Sequence, residues 1–316
     1  MTTKVVCLSG GVGGAKLLLG LQRIVTPGAL TAIVNTGDDF DHLGLRICPD
    51  IDTALYTLAG LANTELGWGR RDETWHFMQT LATLGGETWF RLGDRDLALH
   101  VERTQKLQAG QSLETFTRDI AERLHLPTTI LPMTNDAVRT KVFTDVGELE
   151  FQQYFVRLQC KPKLSSCHFE GAPSASIAPA AIAALQQKLR AILIAPSNPY
   201  LSIDPILALP DMRELLRANG APVIAVTPII GGDAVKGPTA KILRELNKEI
   251  SPLAIAEHYR GLIDGFVLDE RDAHLADRLG VPVAITDTLM KNTEDKERVA
   301  RVALELAARL NPSSRM

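Results

Sequence analysis

The chain has little cysteine and no paired-cysteine motif. Its four cysteines, Cys7, Cys48, Cys160 and Cys167, show no C-x-x-C spacing and no pairing with histidine. That excludes a zinc site of paired cysteines and reads as reduced, mostly buried thiols. Runs of lysine or arginine are also missing: 34 basic side chains stand against 37 acidic ones, for a net charge of −3. Nucleic acid and membrane surfaces therefore have no electrostatic support as ligands, and the partners are expected to be small molecules. No apolar run approaches the length of a membrane span, and the N-terminus enters a strand within a few residues, with no room for a signal peptide. Cytoplasm is the expected compartment. A G-x-S-x-G elbow is absent, no histidine stands in a nucleophile context, and His42 is the only histidine close in sequence to the acid-rich segment described below.

What is present is a globular composition, 45% hydrophobic over 316 residues, enough for one large α/β domain or a domain with an insertion. The chain is organised around Lys4 to Leu21. A short apolar strand leads into Gly10, Gly11, Gly13 and Gly14, and a helix follows with Leu17, Leu18, Leu21 and Ile24 on one face before Pro27-Gly28. Glycines let a ligand approach bare amides, and a helix N-terminus favours an anion, so Gly10, Gly11, Gly13, Gly14 and Lys16 are read as a phosphate site. The G-x-G-x-x-G fingerprint lacks its third glycine, and the Walker pattern fails at Ala15 and Leu17. The reading is an unusual Rossmann turn, set against a plain turn that packs helix on strand.

Leu30 to Val34 forms a second strand, followed by Asn35-Thr36-Gly37-Asp38-Asp39 on the same carboxyl edge. Two carboxylates beside a phosphate site point to a divalent cation, with ribose recognition and helix capping as the competing roles. Asp50 and Asp52 follow Pro49 where a helix begins, which exceeds what capping needs. Together with Asp41 these carboxylates repel one another or share a cation.

Residues 60 to 130 read as a helical insertion carrying Trp68, Trp75 and Trp89. Its Gly69–Trp75 and Phe90–Asp96 segments mix charges with aromatics: either a salt-bridged surface, or arginines that hold anionic groups beside aromatics that flank a flat ring. Arg139 to Phe151 alternates around Gly147 as a hairpin. From 185 onward strands and helices alternate: strands Ala191–Ala195, Val223–Val226, Gly265–Leu268 and Val281–Ile285, and helices Leu207–Arg217, Thr239–Leu246, Ala273–Leu279 and Thr293–Leu310. This predicts a Rossmann-like α/β fold, a parallel sheet with helices on both faces in three layers. Ser197-Asn198 and the Thr227–Gly232 stretch, with Lys236-Gly237-Pro238 beyond it, sit at strand ends where ligands collect, or are ordinary turns.

Ser9–Lys16, Asn35–Asp39, Ile47–Thr53, Leu92–Asp96, Leu131–Met133 and Pro196–Pro199, in this order, closely resemble the 2-phospho-L-lactate transferase family, CofD and its actinobacterial form FbiA. Trp68-Gly69, Arg71–Trp75 and Pro228–Ile230 strengthen the resemblance, which runs nearly the whole chain as a single domain. It implies transfer of a phosphorylated three-carbon acid (2-phospho-L-lactate, phosphoenolpyruvate or a 3-phosphoglycerate-derived equivalent) from a guanosine diphosphate-linked donor to the deazaflavin Fo. The products are coenzyme F420-0 or its dehydro form, and GMP. It also implies Mg2+ and a homodimer. On this resemblance Asp38, Asp50 and Asp52 hold metal, and Asp38, Asp39 and Asp52 orient the incoming hydroxyl. Asp52 and Arg91 touch the deazaflavin, and the glycine turn with Ser197 and Asn198 holds the nucleotide. Many relatives carry lysine where Arg91 stands, and arginine brings a planar fork instead. The alternatives are a nucleotide-sugar-binding regulatory protein, which would carry a D-D-G-G-S-S-type turn where Asp38-Asp39-Phe40-Asp41-His42 stands here, and a nicotinamide oxidoreductase, which rests on the glycine turn alone.

Overall fold

The computed structural model describes residues 4–65, 67–234 and 239–311. Seven parallel strands form the central sheet: β1 (Lys4–Ser9), β2 (Leu30–Val34), β3 (Thr129–Pro132), β4 (Leu189–Ile194), β5 (Val223–Val226), β6 (Gly265–Asp269) and β7 (Val283–Thr286). Their order is β7-β6-β5-β4-β1-β2-β3. The chain lays β2 and β3 on one side of β1 and then crosses to β4 on the other, so the strand order reverses at β1. In such a sheet the crevice at the carboxyl ends beside the reversal is where ligands bind.

Strand β1 shows why the sheet is central. Val6 and Leu8 point into one apolar core while Val5 and Cys7 point into the other, each at most 1% exposed. A strand segment buried on both faces must be apolar, as residues 5–8 of β1, 191–194 of β4 and all of β5 are. Helix α1 (Gly11–Ile24) covers one face with Leu17, Leu18 and Leu21, each burial contributing roughly 1.5–3 kcal/mol. It crosses the C-terminal helix Thr293–Leu310 so closely that a Cβ at Gly20 would run into the Lys296 carbonyl.

Between β2 and β3 lie a short ribbon (Phe40–His42 with Leu45–Ile47) and four helices: α2 (Pro49–Leu58), α3 (His76–Thr83), α4 (Asp94–Gln108) and α5 (Leu113–Arg123). Beyond β3, Arg139–Thr144 and Gly147–Glu150 pair as an antiparallel hairpin, which Leu164–Glu170 extends to three strands. The C-terminal helix has the expected bounds because Asn292 and Asp295 form a capping box. Departures from the expected elements have local causes. The helix expected over 207–217 is broken in two, Asp204–Leu207 and Met212–Ala218, around Pro210. The helix expected over 273–279 is a 3-10 segment, Glu270–Arg278, started by Asp269. A helix at Pro252–His258, capped by Ser251, was not expected. Lys236, Gly237 and Pro238 lie outside the described residues. Among the described residues no helix is long and apolar enough to cross a membrane.

Candidate active site

A cavity of about 770 Å3 opens at the carboxyl edge of the sheet where the turns after β1 and β4 meet. Gly10, Gly11, Gly13, Lys16, Ser197 and Asn198 form part of its wall. The glycines have different jobs. Gly11 has φ +62° in the left-handed region that favours glycine. A Cβ on Gly13 would stand 2.5 Å from the Pro196 carbonyl oxygen, and one on Gly10 would stand 2.6 Å from Asp50 Oδ2. Gly14 is not among the lining residues; its missing Cβ makes room for the Ser9 and Ser197 hydroxyls. Ser197 stitches the two turns together, its Oγ accepting from Gly10 N at 3.2 Å and donating to Gly10 O at 2.7 Å. Asn198 Oδ1 accepts from Tyr200 N and Leu201 N, while its Nδ2 is buried with no partner among the described residues. Lys16 Nζ donates to the Met290 carbonyl at 2.7 Å, which ties α1 to the loop after β7.

The turn is less bare than its sequence indicates. Asp50, at the start of α2, accepts from Gly11 N at 2.8 Å and from Asn35 Nδ2 at 3.0 Å. The protein thus places its own carboxylate on the first amide of α1. Burial pushes Asp50 up to about 6, against the hydrogen bonds from Asn35 and Gly11 and with help from Asp52. Asp38 also lines the cavity and is raised, first by burial and then by the charge of Asp50. Asp39 is buried and is not among the lining residues. It sits beside Cys48, and burial pushes it up to about 7 against that hydrogen bond and the charges of Arg139 and Arg103.

Asp52 belongs to a second group. Both its oxygens take hydrogen bonds from the Arg103 guanidinium, one of them from Nη1 at 3.1 Å. Burial raises Asp52, and the Arg103 and His100 charges oppose it. His100 Nδ1 lies 3.7 Å from Asp52 Oδ2, and His100 Nε2 lies 3.3 Å from Asp96 Oδ2. Tyr56 donates its hydroxyl to Asp96 Oδ1 at 2.6 Å. Burial acts to raise Asp96, but the neighbouring imidazole, the Tyr56 hydrogen bond and Arg103 outweigh it, and the group is held below its usual range. Among the described residues, the set of three whose ligating atoms all lie within 4.8 Å is Asp52, Asp96 and His100. Asp38 and Asp50 stand outside it.

Sequence reasoning missed Tyr56, Asp96, His100 and Arg103 as site residues. The signal was there: Asp96, His100 and Arg103 fall at i, i+4 and i+7 on one face of α4. In space His100, not His42, is the histidine of the acid cluster. His42 is packed among Phe40, Trp89 and Phe90, and burial lowers it.

Aromatic residues of the segment between β2 and β3 reach the same cavity: Trp68, Trp89 and Phe90. Arg91 lines it too, its guanidinium 4.3 Å from the Trp75 ring centroid.

Residues 5–302 match the family model described as 2-phospho-L-lactate transferase CofD. The chain belongs to that family. It is 41% identical over 313 residues to the phosphoenolpyruvate transferase of Streptomyces coelicolor, covering 96% of this chain and 98% of the relative. It is 39% identical to the protein of the same name from Thermobifida fusca, covering 98% of this chain and all of the relative. A solved UPF0052-family structure from Bacillus halodurans superposes with a TM-score of 0.65 over 96% of this chain and 99% of its own, at 16% identity, which speaks for the fold alone. CofD membership makes the protein a transferase.

Proposed function

We propose that the protein transfers phosphoenolpyruvate from a guanosine diphosphate-linked donor to the terminal ribityl hydroxyl of the deazaflavin Fo, giving dehydro coenzyme F420-0 and GMP. One observation carries the reading: a single cavity joins the turns after β1 and β4 to the aromatic residues of the insertion, with buried carboxylates in the same wall. Such a cavity suits a nucleotide diphosphate and a flat tricyclic ring together. Phosphoenolpyruvate is preferred over 2-phospho-L-lactate and phosphoglycerate because relatives 39% and 41% identical over nearly their whole length bear that name. On the same reading the protein works as a cytoplasmic homodimer.

In the reaction, the Fo hydroxyl oxygen attacks the phosphorus that carries the enolpyruvyl group. The bond from that phosphorus to the bridging oxygen breaks, and GMP leaves with the oxygen. Asp52, held by Arg103, accepts the hydroxyl hydrogen bond and takes the proton late, as expected for a loose phosphoryl transition state. The turn at Gly13, Ser197 and the unpartnered Asn198 Nδ2 hold the nucleotide side, and Arg91 with the aromatic residues holds the ring.

Asp38 and Asp50 fit Mg2+. They are buried oxygen donors, Asp38 raised by burial and by the charge of Asp50, and Asp50 by burial and the charge of Asp52, with no ion-pair partner among the described residues. Magnesium suits one or two carboxylates completed by substrate phosphates, and would neutralise diphosphate charge there. The Asp50 carboxylate on Gly11 N strengthens the requirement, because a diphosphate brought to that helix start meets a negative charge.

The test is incubation with Fo, Mg2+ and guanosine diphosphate-linked phosphoenolpyruvate, phospholactate or phosphoglycerate, read by mass spectrometry. Product from the phosphoenolpyruvate donor is expected. Product from another donor corrects the acid, and no product from any donor overturns the reading.

A further inference from the structure

Arg103 is fully buried on α4, is not among the residues lining the cavity, and spends its guanidinium on Asp52, which is. We propose that Arg103 is a positioning residue for the transfer, acting through Asp52. The inference rests on the transferase reading above.

A buried arginine is rare, and an ion pair of this kind is weak evidence for stability, since well-packed apolar residues of similar volume often serve a fold as well or better. What a two-pronged guanidinium gives and an apolar residue does not is orientation. With one oxygen of Asp52 on Nη1 and the other on Nη2, the carboxylate plane is fixed against rotation about its last bond. Each carboxylate oxygen keeps a further lone pair for a ligand.

Arg103 is itself held from several directions. Nη1 also lies 3.3 Å from the Arg46 carbonyl and 3.5 Å from His100 Nδ1, and the Phe116 ring centroid lies 5.6 Å from the guanidinium carbon. Asp96 and His100 project from the same helix face and complete the surroundings of Asp52, with Tyr56 closing on Asp96. Helix α4 therefore presents a rigid receptor for one carboxylate. A hydroxyl that must line up with a phosphorus needs its acceptor fixed in this way, because misplacement by about 1 Å costs on the order of 100-fold in rate.

The experiment is a double-variant cycle in steady-state kinetics. Arg103→Lys keeps the charge and loses the fork. It is expected to lower kcat on the order of 10- to 100-fold, with donor KM changed by less than about threefold. In an Asp52→Asn background the same substitution is expected to cost no more than about twofold, because its partner has already gone. Losses that multiply in the double variant, or an unchanged kcat for Arg103→Lys, overturn the proposal. If Arg103→Lys does not fold, Arg103→Gln with Asp52→Asn, a neutral pair, is compared with Asp52→Asn alone. Equal turnover supports the proposal, and a further loss overturns it. A wild-type chain that transfers none of the three acids overturns the transferase reading and this inference together. Wild-type turnover with an indifferent Arg103 overturns this inference alone.

Discussion

Glu73 and Asp94 cap each other's helices. Glu73, which precedes α3, accepts from Arg95 N at 2.7 Å and Asp96 N at 2.9 Å at the start of α4. Asp94, the first residue of α4, accepts from His76 N and Phe77 N, both at 3.1 Å, at the start of α3. Gly93 has no Cβ because the Glu73 carboxyl fills that space. The charged segments around these residues are thus a reciprocal lock that sets the position of Asp96. Glu73→Ala is expected to cost about 1 kcal/mol of stability, as lost caps do, read as a lower urea midpoint. Asp94→Ala should move the midpoint in the same direction. An unchanged midpoint in both would deny the lock.

Asp38→Asn keeps shape and removes one charge from the proposed cation site. The magnesium concentration for half-maximal turnover should rise at least about tenfold, while the thermal midpoint holds or increases, since a buried carboxylate loses its desolvation cost. A magnesium titration of both proteins checks this, and identical curves would move the cation elsewhere.

Arg91→Ala removes the guanidinium over Trp75 and should raise the Fo requirement severalfold, with the magnesium requirement unchanged. The reverse pattern in the two titrations would mean that ring and metal have been assigned to the wrong ends of the cavity.

The thiols give a pH test. Burial pushes Cys160 and Cys167 each up to about 11 and raises the more deeply buried Cys7 and Cys48 as well. An acid with a raised pKa keeps its proton to higher pH, so the reactive thiolate is scarce at neutrality. Iodoacetamide at pH 7.5 should leave the folded protein unlabelled and give four adducts after denaturation, counted by mass. Folded-state labelling should climb only as the pH approaches 11.

Much of this was legible in the chain because sheet and helix periods are local. Residues Leu30–Val34, Val223–Val226 and Thr293–Leu310 announce themselves by apolar pattern and caps. The glycine turn and Ser197 were legible as neighbours once parallel strands were read. Geometry between segments was not. Nothing local says that Asp50 reaches back to Gly11, or that Glu73 caps a helix 22 residues on. The burial of Arg103 is a tertiary property that no local pattern carries. Asp39 reads, beside Asp38, as orienting the hydroxyl, and one step of the backbone turns it toward Cys48 instead.

The junction of Gly10 with Ser197 has a consequence for how the chain folds. Those residues are 187 positions apart, and β1 pairs with β4 across a similar span, Val5 opposite Ala191. Loop closure of that length comes late, after local helices and hairpins have formed. During synthesis β1 therefore waits with one edge unpaired until β4, which ends at residue 194 of 316, has been made. An apolar strand with an open edge is a pairing template for other chains. Fragments that stop before β4 should aggregate and should fail to bind nucleotide, because the crevice beside β1 forms only once β4 has closed on it.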